Sequence, residues 1–358
     1  MPDDLGTNAD SEDLLDTTAG ITPASPPGYE LCEEIGRGGM GVVYRARDVA
    51  LDRYVALKLL SKRYPADALP AQRFLSEARI TGQLQHPGIP AVHQVGARAD
   101  GRPFLAMRLI KGSTLEAILK RRTDPAADRG RLLAILEAVC QAVGYAHAHR
   151  VIHRDLKPAN VMVGAFGEVQ VMDWGLAKVL GEEMPATESA LAAEQTHAWT
   201  EVSPTPETGS HTQAGSLVGT PAFIAPEQAL GEIEKVNERA DVFGLGALLA
   251  VILTGQPPYV GESYESVRVL AIRGKLDDCF ARLDASGAEP ELVALCKQCL
   301  AFEPADRPAD AGTVAQAIAG LRAAADERAR RAELERVRVE GSRRPRRRRR
   351  RNGGSGGG

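Results

Sequence analysis

His153-Arg-Asp155-Leu-Lys157-Pro-Ala-Asn160 is followed, thirteen residues after Asn160, by Asp173-Trp-Gly175. Two acids and an asparagine therefore stand in polar stretches. Between them run Val161-Met-Val163 and Val169-Gln-Val171, short apolar alternations that predict a strand pair. Carboxylate and amide oxygens, completed by substrate phosphates, are the ligands a magnesium ion takes. The stretch thus reads as a hard-cation site. A lone His-Arg-Asp triplet would be a chance match, whereas an eight-residue string with Asp-x-Gly behind it is not.

Upstream, Gly36-Arg-Gly38-Gly-Met-Gly41-Val-Val43 carries glycines at i, i+2 and i+5. Such a turn lets backbone approach phosphates that a Cβ would hold away. Dinucleotide-binding folds use the same spacing, but they need a helix after the glycines. Here Val42-Val-Tyr44 continues as a strand, and no Gly-x-x-x-x-Gly-Lys-Ser/Thr string occurs. Next comes Tyr54-Val-Ala-Leu-Lys58-Leu-Leu60. A lysine inside an apolar strand is expensive to bury unless an anion meets it. Taken by itself, Lys58 also fits a surface position on an edge strand.

In these motifs and their order the sequence resembles the eukaryotic-type (Hanks-type) protein kinase family, in its bacterial serine/threonine branch. Gly219-Thr-Pro-Ala-Phe-Ile-Ala-Pro-Glu227, Asp241-Val-Phe-Gly-Leu-Gly246 and Asp306-Arg307-Pro308 extend the resemblance from residue 29 to about residue 320. It implies a bilobal α+β fold, with a small five-stranded antiparallel lobe carrying one helix and a larger, mostly helical lobe. It also implies transfer of the ATP γ-phosphoryl group to serine or threonine hydroxyls of protein substrates. ATP and Mg2+ are the implied cofactors, with Mn2+ as the alternative ion.

The resemblance assigns roles residue by residue. Gly36, Gly38 and Gly41 would cover the phosphates, with Ile35 just before them. Lys58 would reach the α- and β-phosphates, held by Glu77, nineteen residues on. Val43, Ala56 and Met162 would sandwich the adenine, and the backbone of Met107, Arg108 and Ile110 would bond its edge. Asp155 would orient the acceptor hydroxyl and take its proton, while Asn160 and Asp173 would hold the metal. Lys157 and Thr220 mark the serine/threonine branch and complete the catalytic group. Glu227 and Arg307 would form a buried structural pair. Trp174 replaces the usual Phe, Arg108 a common acid, and Phe223 the frequent Tyr; none of these removes a reacting group. A pseudokinase scaffold is disfavoured because Lys58, Asp155 and Asn160 are all present. A small-molecule phosphotransferase is disfavoured by the Gly219–Glu227, Asp241 and Arg307 landmarks.

The rest of the chain agrees. Leu69 to Gln85 has helical periodicity, with Phe74, Ala78 and Leu84 on one side, and residues 103–110 read as a strand. Leu132, Leu133, Leu136, Val139 and Val143 recur at helical spacing. Asp241–Leu253 is apolar nearly all round, which marks a helix buried on every side. Two more helices fit 289–302 and 310–323. Ala240–Leu253, the longest strongly apolar stretch, falls short of the ~20 residues that span a bilayer. No signal-like leader precedes it, so the chain reads as cytoplasmic. Cys32, Cys140, Cys279, Cys296 and Cys299 are sparse and odd in number, which fits reduced core thiols better than disulfides. The Cys296–Cys299 spacing leaves metal or redox use as the lesser alternative.

The net charge of −3 conceals opposite ends: residues 1–34 hold nine carboxylates and no Lys or Arg, and residues 322–351 hold fourteen Arg against five acids. Residues 1–27 therefore form an acidic segment whose composition predicts disorder. Residues 28–321 form the kinase-like domain, divided at 110/111, with a long activation-loop insertion at 180–218. Residues 322–358 form a basic tail with a helical Ala/Arg/Glu stretch up to Val339 and a Gly/Ser end. The arginines of 343–351 could meet an anionic membrane surface, remain solvated, or meet nucleic acid; the last is disfavoured. Between Thr196 and Ser216, hydroxyls at Thr205, Thr208, Ser210, Thr212 and Ser216 are candidate autophosphorylation sites, and Arg154 is a candidate phosphate partner.

Overall fold

The computed structural model describes residues 23–38, 40–180 and 220–343. The acidic residues 1–22, the hydroxyl-rich 181–219 and the arginine run 344–351 lie outside the described residues, and with them every candidate autophosphorylation site. Two compact units divide the chain: one runs up to Ala71 and adds Gln94–Leu109, the other comprises Gln72–His93 and everything from Ile110 onward.

The first unit is a sheet of five strands, β1 (Tyr29–Arg37), β2 (Gly41–Asp48), β3 (Arg53–Leu60), β4 (Val92–Ala97) and β5 (Pro103–Arg108), in the order β1-β2-β3-β5-β4. Neighbours β1–β2, β2–β3 and β3–β5 run antiparallel. Side chains alternate between faces, and the two faces differ in kind. Val55, Leu57 and Leu59 of β3 join Tyr29, Ala46, Phe104 and Ala106 in one buried cluster. The intervening positions Ala56 and Lys58 face the other way. That alternation is why a lysine is tolerated in so apolar a strand.

The expected helix is found as α1 (Leu69–Gln83). Apart from its first turn it falls in the helical unit, not with the sheet. The reason is packing: Leu84 and Ile89 join the large core, with Ile80 against it. The loop after α1 is pinned there too, by Val171 N–H to Gly88 O (2.8 Å) and Gln170 Nε2 to Pro87 O (3.0 Å).

The helical unit continues with β6 (Gly112–Thr114), α2 (Leu115–Lys120), α3 (Arg129–Ala148), β7 (Val151–Ile152), β8 (Val161–Gly164), β9 (Val169–Val171) and β10 (Lys178–Val179). After the undescribed stretch come α4 (Pro226–Ala229), α5 (Glu238–Thr254), α6 (Tyr264–Ile272), α7 (Asp277–Asp284), α8 (Pro290–Cys299) and α9 (Ala311–Arg343). α5 is the axis of this unit. The Asn237 side chain caps its first turn by accepting from Arg239 N–H, and Gly255, at φ 78°, ends it. Every residue from Ala240 to Leu253 is buried, each full-sized aliphatic side chain contributing about 1.5–3 kcal/mol. α3 packs on α5 and α9, and α8 on α5. The tail helix is not separate from the helix at 310–323: both are one element, α9, whose residues 326–339 are exposed. Cys296 and Cys299 are buried free thiols, and burial pushes Cys299 up to about 12. Among the described residues no helix is long and apolar enough to cross a membrane.

The Glu227–Arg307 pair forms as expected. Arg307 is fully buried in its side chain, and all five of its N–H donors are matched. Two meet the Glu227 carboxylate (2.7 and 2.9 Å), and the others meet Ala301 O, Arg239 O and Phe302 O. Removing one partner strands a buried charge, so Arg307→Ala or Glu227→Ala should each cost about 3–5 kcal/mol. Arg307→Lys should recover little of it, because an ammonium cannot reproduce the fork. Urea unfolding of the purified variants measures this; a loss under about 1 kcal/mol would remove the pair from the list of structural anchors.

Candidate active site

The sheet unit aligns its predicted nucleotide residues. Register places Gly36 opposite Val43, Val43 opposite Lys58, and Lys58 opposite Leu105, so these lie in one row across β1, β2, β3 and β5. Ala56 and Met107, two positions along β3 and β5, pair with each other on the same face. Gly36, Val43, Ala56, Lys58 and Met107 thus share one face, opposite the unit's apolar core. Beside them Ile35 is 47% exposed, an apolar side chain left uncovered. Gly38 and Gly41 close the β1–β2 hairpin through reciprocal backbone bonds of 2.9 and 3.3 Å. They are glycines for different reasons. A Cβ at Gly38 would meet nothing within 4 Å, whereas one at Gly41 would run into the Leu59 carbonyl oxygen. Gly41 is required by the chain's own pairing.

In the helical unit the string from His153 to Asn160 folds into a compact cluster. Lys157 Nζ lies 2.7 Å from Asp155 Oδ2. Asn160 Nδ2 donates to the same Oδ2 (3.0 Å) and to the Asp155 carbonyl oxygen (2.8 Å). Asp155 Oδ1 accepts nothing from the described residues. His153 accepts from Asp155 N–H at Nδ1 (3.2 Å), and its Nε2 donates to Met172 O (3.0 Å), so its partners define the neutral tautomer. Trp174 is buried beside it, edge to ring at 4.7 Å, and its indole N–H donates to Val171 O (3.0 Å). The larger ring is therefore accommodated with its polar atom satisfied.

The loop is held from below by Asp241 of α5. Its carboxylate accepts His153 N–H and Arg154 N–H (2.7 Å each) and His147 Nε2–H (2.9 Å). His147 Nδ1 in turn accepts Ala311 N–H at the start of α9 (3.2 Å). Arg154 stands at φ 66° and Asp173 at φ 61°, a left-handed region that costs a side-chain-bearing residue about 1–2 kcal/mol. Arg154 is kept there by Asp241, by its Nε on Leu176 O (2.5 Å), and by Gln228 Nε2 on its carbonyl (3.0 Å). Burial alone would raise the Asp241 pKa, but the hydrogen bonds from the His147 ring and the His153 backbone N–H hold it below the ordinary carboxylate value.

Glu77 is buried on α1, and a Cβ at Gly175 would sit 3.1 Å from its Oε2 and 3.3 Å from Asp173 Oδ1. Gly175 is thus bare where two predicted site carboxylates come together. Met162 and Ile110 are half-buried, Arg108 is exposed, and only the backbone of Thr220 is described, as the start of a short 3-10 turn. The sequence reading gave Asp241 no chemical role and overlooked His147. Their partners lie 87 to 164 residues away.

With a glycine turn and a lysine on one sheet face, and an acid–lysine–asparagine cluster pinned to a buried helix, the chain has both halves of a protein kinase domain. The family model described as "Protein kinase domain" matches residues 29–319, and the chain belongs to that family. Its similarity runs to the bacterial serine/threonine branch. It is 36% identical over 284 residues to the serine/threonine-protein kinase PknB of Mycolicibacterium smegmatis, covering 78% of this chain and 40% of that protein. It is 34% identical to PknB of Mycobacterium tuberculosis with the same coverage, and 35% identical to PknK of Mycobacterium bovis over 81% of this chain and 23% of that one. The chain therefore spans two fifths or less of the length of these relatives.

Family membership implies ATP and a divalent metal at this site. The donors fit. Because Asn160 spends its Nδ2 on Asp155, its Oδ1 is the atom left for a cation. Asp173 is exposed, and among the described residues no cluster of three or more His, Cys, Asp or Glu forms a metal cage. An amide oxygen and a carboxylate suit an ion whose remaining ligands are phosphates and water.

Asp241→Asn tests the loop's anchor. At pH 7 it should cost about 3–5 kcal/mol, as for other broken buried charge networks. The depressed Asp241 pKa supplies stability that is present above the unfolded carboxylate value, about 4, and fades as pH falls toward the folded one. The gap between wild type and variant in urea unfolding should therefore narrow below about pH 5; a gap constant between neutral and acid pH would contradict this.

Proposed function

We propose that this chain is a serine/threonine protein kinase that transfers the γ-phosphoryl group of ATP to hydroxyls of protein substrates. The observation that carries the reading is the Asp155 carboxylate. One oxygen is held by Lys157 and Asn160, and the other accepts nothing from the described residues. So held, Asp155 can align a hydroxyl through Oδ1 and accept its proton as the bond to phosphorus forms. Lys157, 2.7 Å from Oδ2, is placed to offset charge on the transferring group and fits a Ser/Thr acceptor. Lys58 and Glu77 act on the nucleotide phosphates; Val43, Ala56 and Met162 supply apolar surface for the base, and the backbone of Met107, Arg108 and Ile110 bonds its edge. Mg2+, with Mn2+ as the alternative, would be held by Asn160 and Asp173 and would neutralise phosphate charge. The chemistry is mostly positioning and charge compensation. Neither a pseudokinase nor a small-molecule phosphotransferase gains support from the site.

Regulation by autophosphorylation belongs to this reading. Arg154 and Lys178 lie close enough for the Arg154 charge to add to burial in lowering the Lys178 pKa. The Arg154 guanidinium would welcome a phosphoryl group on the hydroxyl-rich segment that follows Lys178. The basic tail we assign to an anionic membrane surface, because α9 presents exposed arginines on the way to Arg343.

Asp155→Asn should lower turnover by at least ~10²-fold, the lower range for general-base help, with ATP affinity little changed. Magnesium-dependent transfer of ³²P to the chain itself and to a generic basic protein, followed by phosphoamino-acid analysis, should give phosphoserine and phosphothreonine. Transfer by the variant at the wild-type rate, or phosphotyrosine as the main product, would refute the proposal.

A further inference from the structure

A cleft of about 840 Å³ opens in the helical unit between β6, the end of α2, the start of α3 and the end of β8. It contains none of the catalytic cluster. Its charged lining is Lys111, Arg121, Arg122 and Arg131 against a single acid, Asp128. Arg122 is structural: its guanidinium donates to Pro125 O (3.1 Å) and, at the end of α5, to Ile252 O (2.9 Å) and Val251 O (3.2 Å). The other three cations are exposed. Arg121 lies along α2, with Nε on Ala117 O and Nη2 on Ser113 Oγ. Nearby Lys120 and Arg129 find carboxylates in Glu116 and Glu289, but Lys111, Arg121 and Arg131 meet none within ion-pair distance among the described residues.

Like charges gathered in a concave surface focus their potential, unlike the same charges spread over a convex face. The volume lies within the roughly 300–1,000 Å³ of sites that take organic ligands, far larger than one phosphate needs. Beyond Ala165 in the lining, the β8–β9 turn carries Phe166, 98% exposed and the most exposed large apolar side chain of the described residues. Glu168, whose carboxylate packs against Gly164 of the lining and accepts Phe166 N–H (3.0 Å), is a second acid at the rim, so three exposed cations face two acids. Asp128 and the exposed ring favour a ligand that mixes acids with apolar groups over a continuous phosphate backbone.

We propose that this cleft is a docking site for an acidic peptide segment of a protein substrate. The segment's carboxylates would meet Lys111, Arg121 and Arg131, and an apolar side chain would lie on Phe166. The recruiting role rests on the kinase reading above, whereas the binding does not.

The test is fluorescence anisotropy of the full chain, without ATP, with a labelled Glu-Asp-Leu-Leu-Asp-Glu peptide and its Gln/Asn counterpart. The acidic peptide should bind at least roughly tenfold more tightly, a margin reachable by a few exposed ion pairs, and should weaken as salt rises. The Arg121→Glu/Arg131→Glu double variant should lose at least about tenfold in affinity with thermal unfolding unchanged. Lys111→Glu, at an exposed position outside both helices, serves as the independent variant. Transfer to a short substrate lacking acids should be unaffected in either. Equal binding of both peptides, indifference to both charge reversals, or a preference for a single-stranded oligonucleotide would overturn the proposal. A chain that binds the acidic peptide but transfers no phosphoryl group would instead refute the kinase reading alone.

Discussion

The Asp241 carboxylate, 1% exposed in the first turn of α5, accepts three N–H donors from two other parts of the chain. A charge so deep is affordable only because each contact is a charge-assisted hydrogen bond. Two of its donors are backbone amides of His153 and Arg154, immediately before Asp155. What would otherwise be a loop with a strained residue becomes an extension of the most buried helix in the unit. Asp155 inherits its position from that attachment.

The division of labour in the chain follows the same logic of faces. In β3 the odd positions make the apolar core of the sheet unit, and the even positions Ala56 and Lys58 turn to the functional face. In the helical unit the interior belongs to α3 and α5. The Tyr259 hydroxyl and Gln170 Oε1 are buried there without a partner among the described residues, but the full charges that enter it are matched. Arg307 with its five satisfied donors and Asp241 with its three are the instances. Both sit on or beside α5, so the helix that fixes the core also fixes the chemistry.

How much of this was legible in the sequence depended on whether cause and effect were neighbours in the chain. Asp155, Lys157 and Asn160 contact one another within six residues, and their grouping could be read directly. The strands β2, β3 and β5, the buried helix α5 and the Arg307 pair were likewise visible, from alternation, continuous apolarity and landmark order. His147 was not, because an alanine-rich helix with a histidine near its end gives no hint that this side chain bridges Asp241 and the start of α9. The allegiance of α1 to the helical unit was hidden for a similar reason. Its apolar stripe shows that it packs, but not on what. Gly41 was read for the right residue type with an incomplete reason, since the Leu59 carbonyl that excludes a Cβ there appears only once β2 and β3 pair.

Native-state hydrogen exchange of the His153 and Arg154 amides tests the central role of Asp241 most directly. If its carboxylate holds the loop, these amides should exchange as slowly as those of α5, through global unfolding alone. Exchange as fast as that of the exposed turn around Val260 would show that the loop opens on its own, and that Asp155 owes its position to something else.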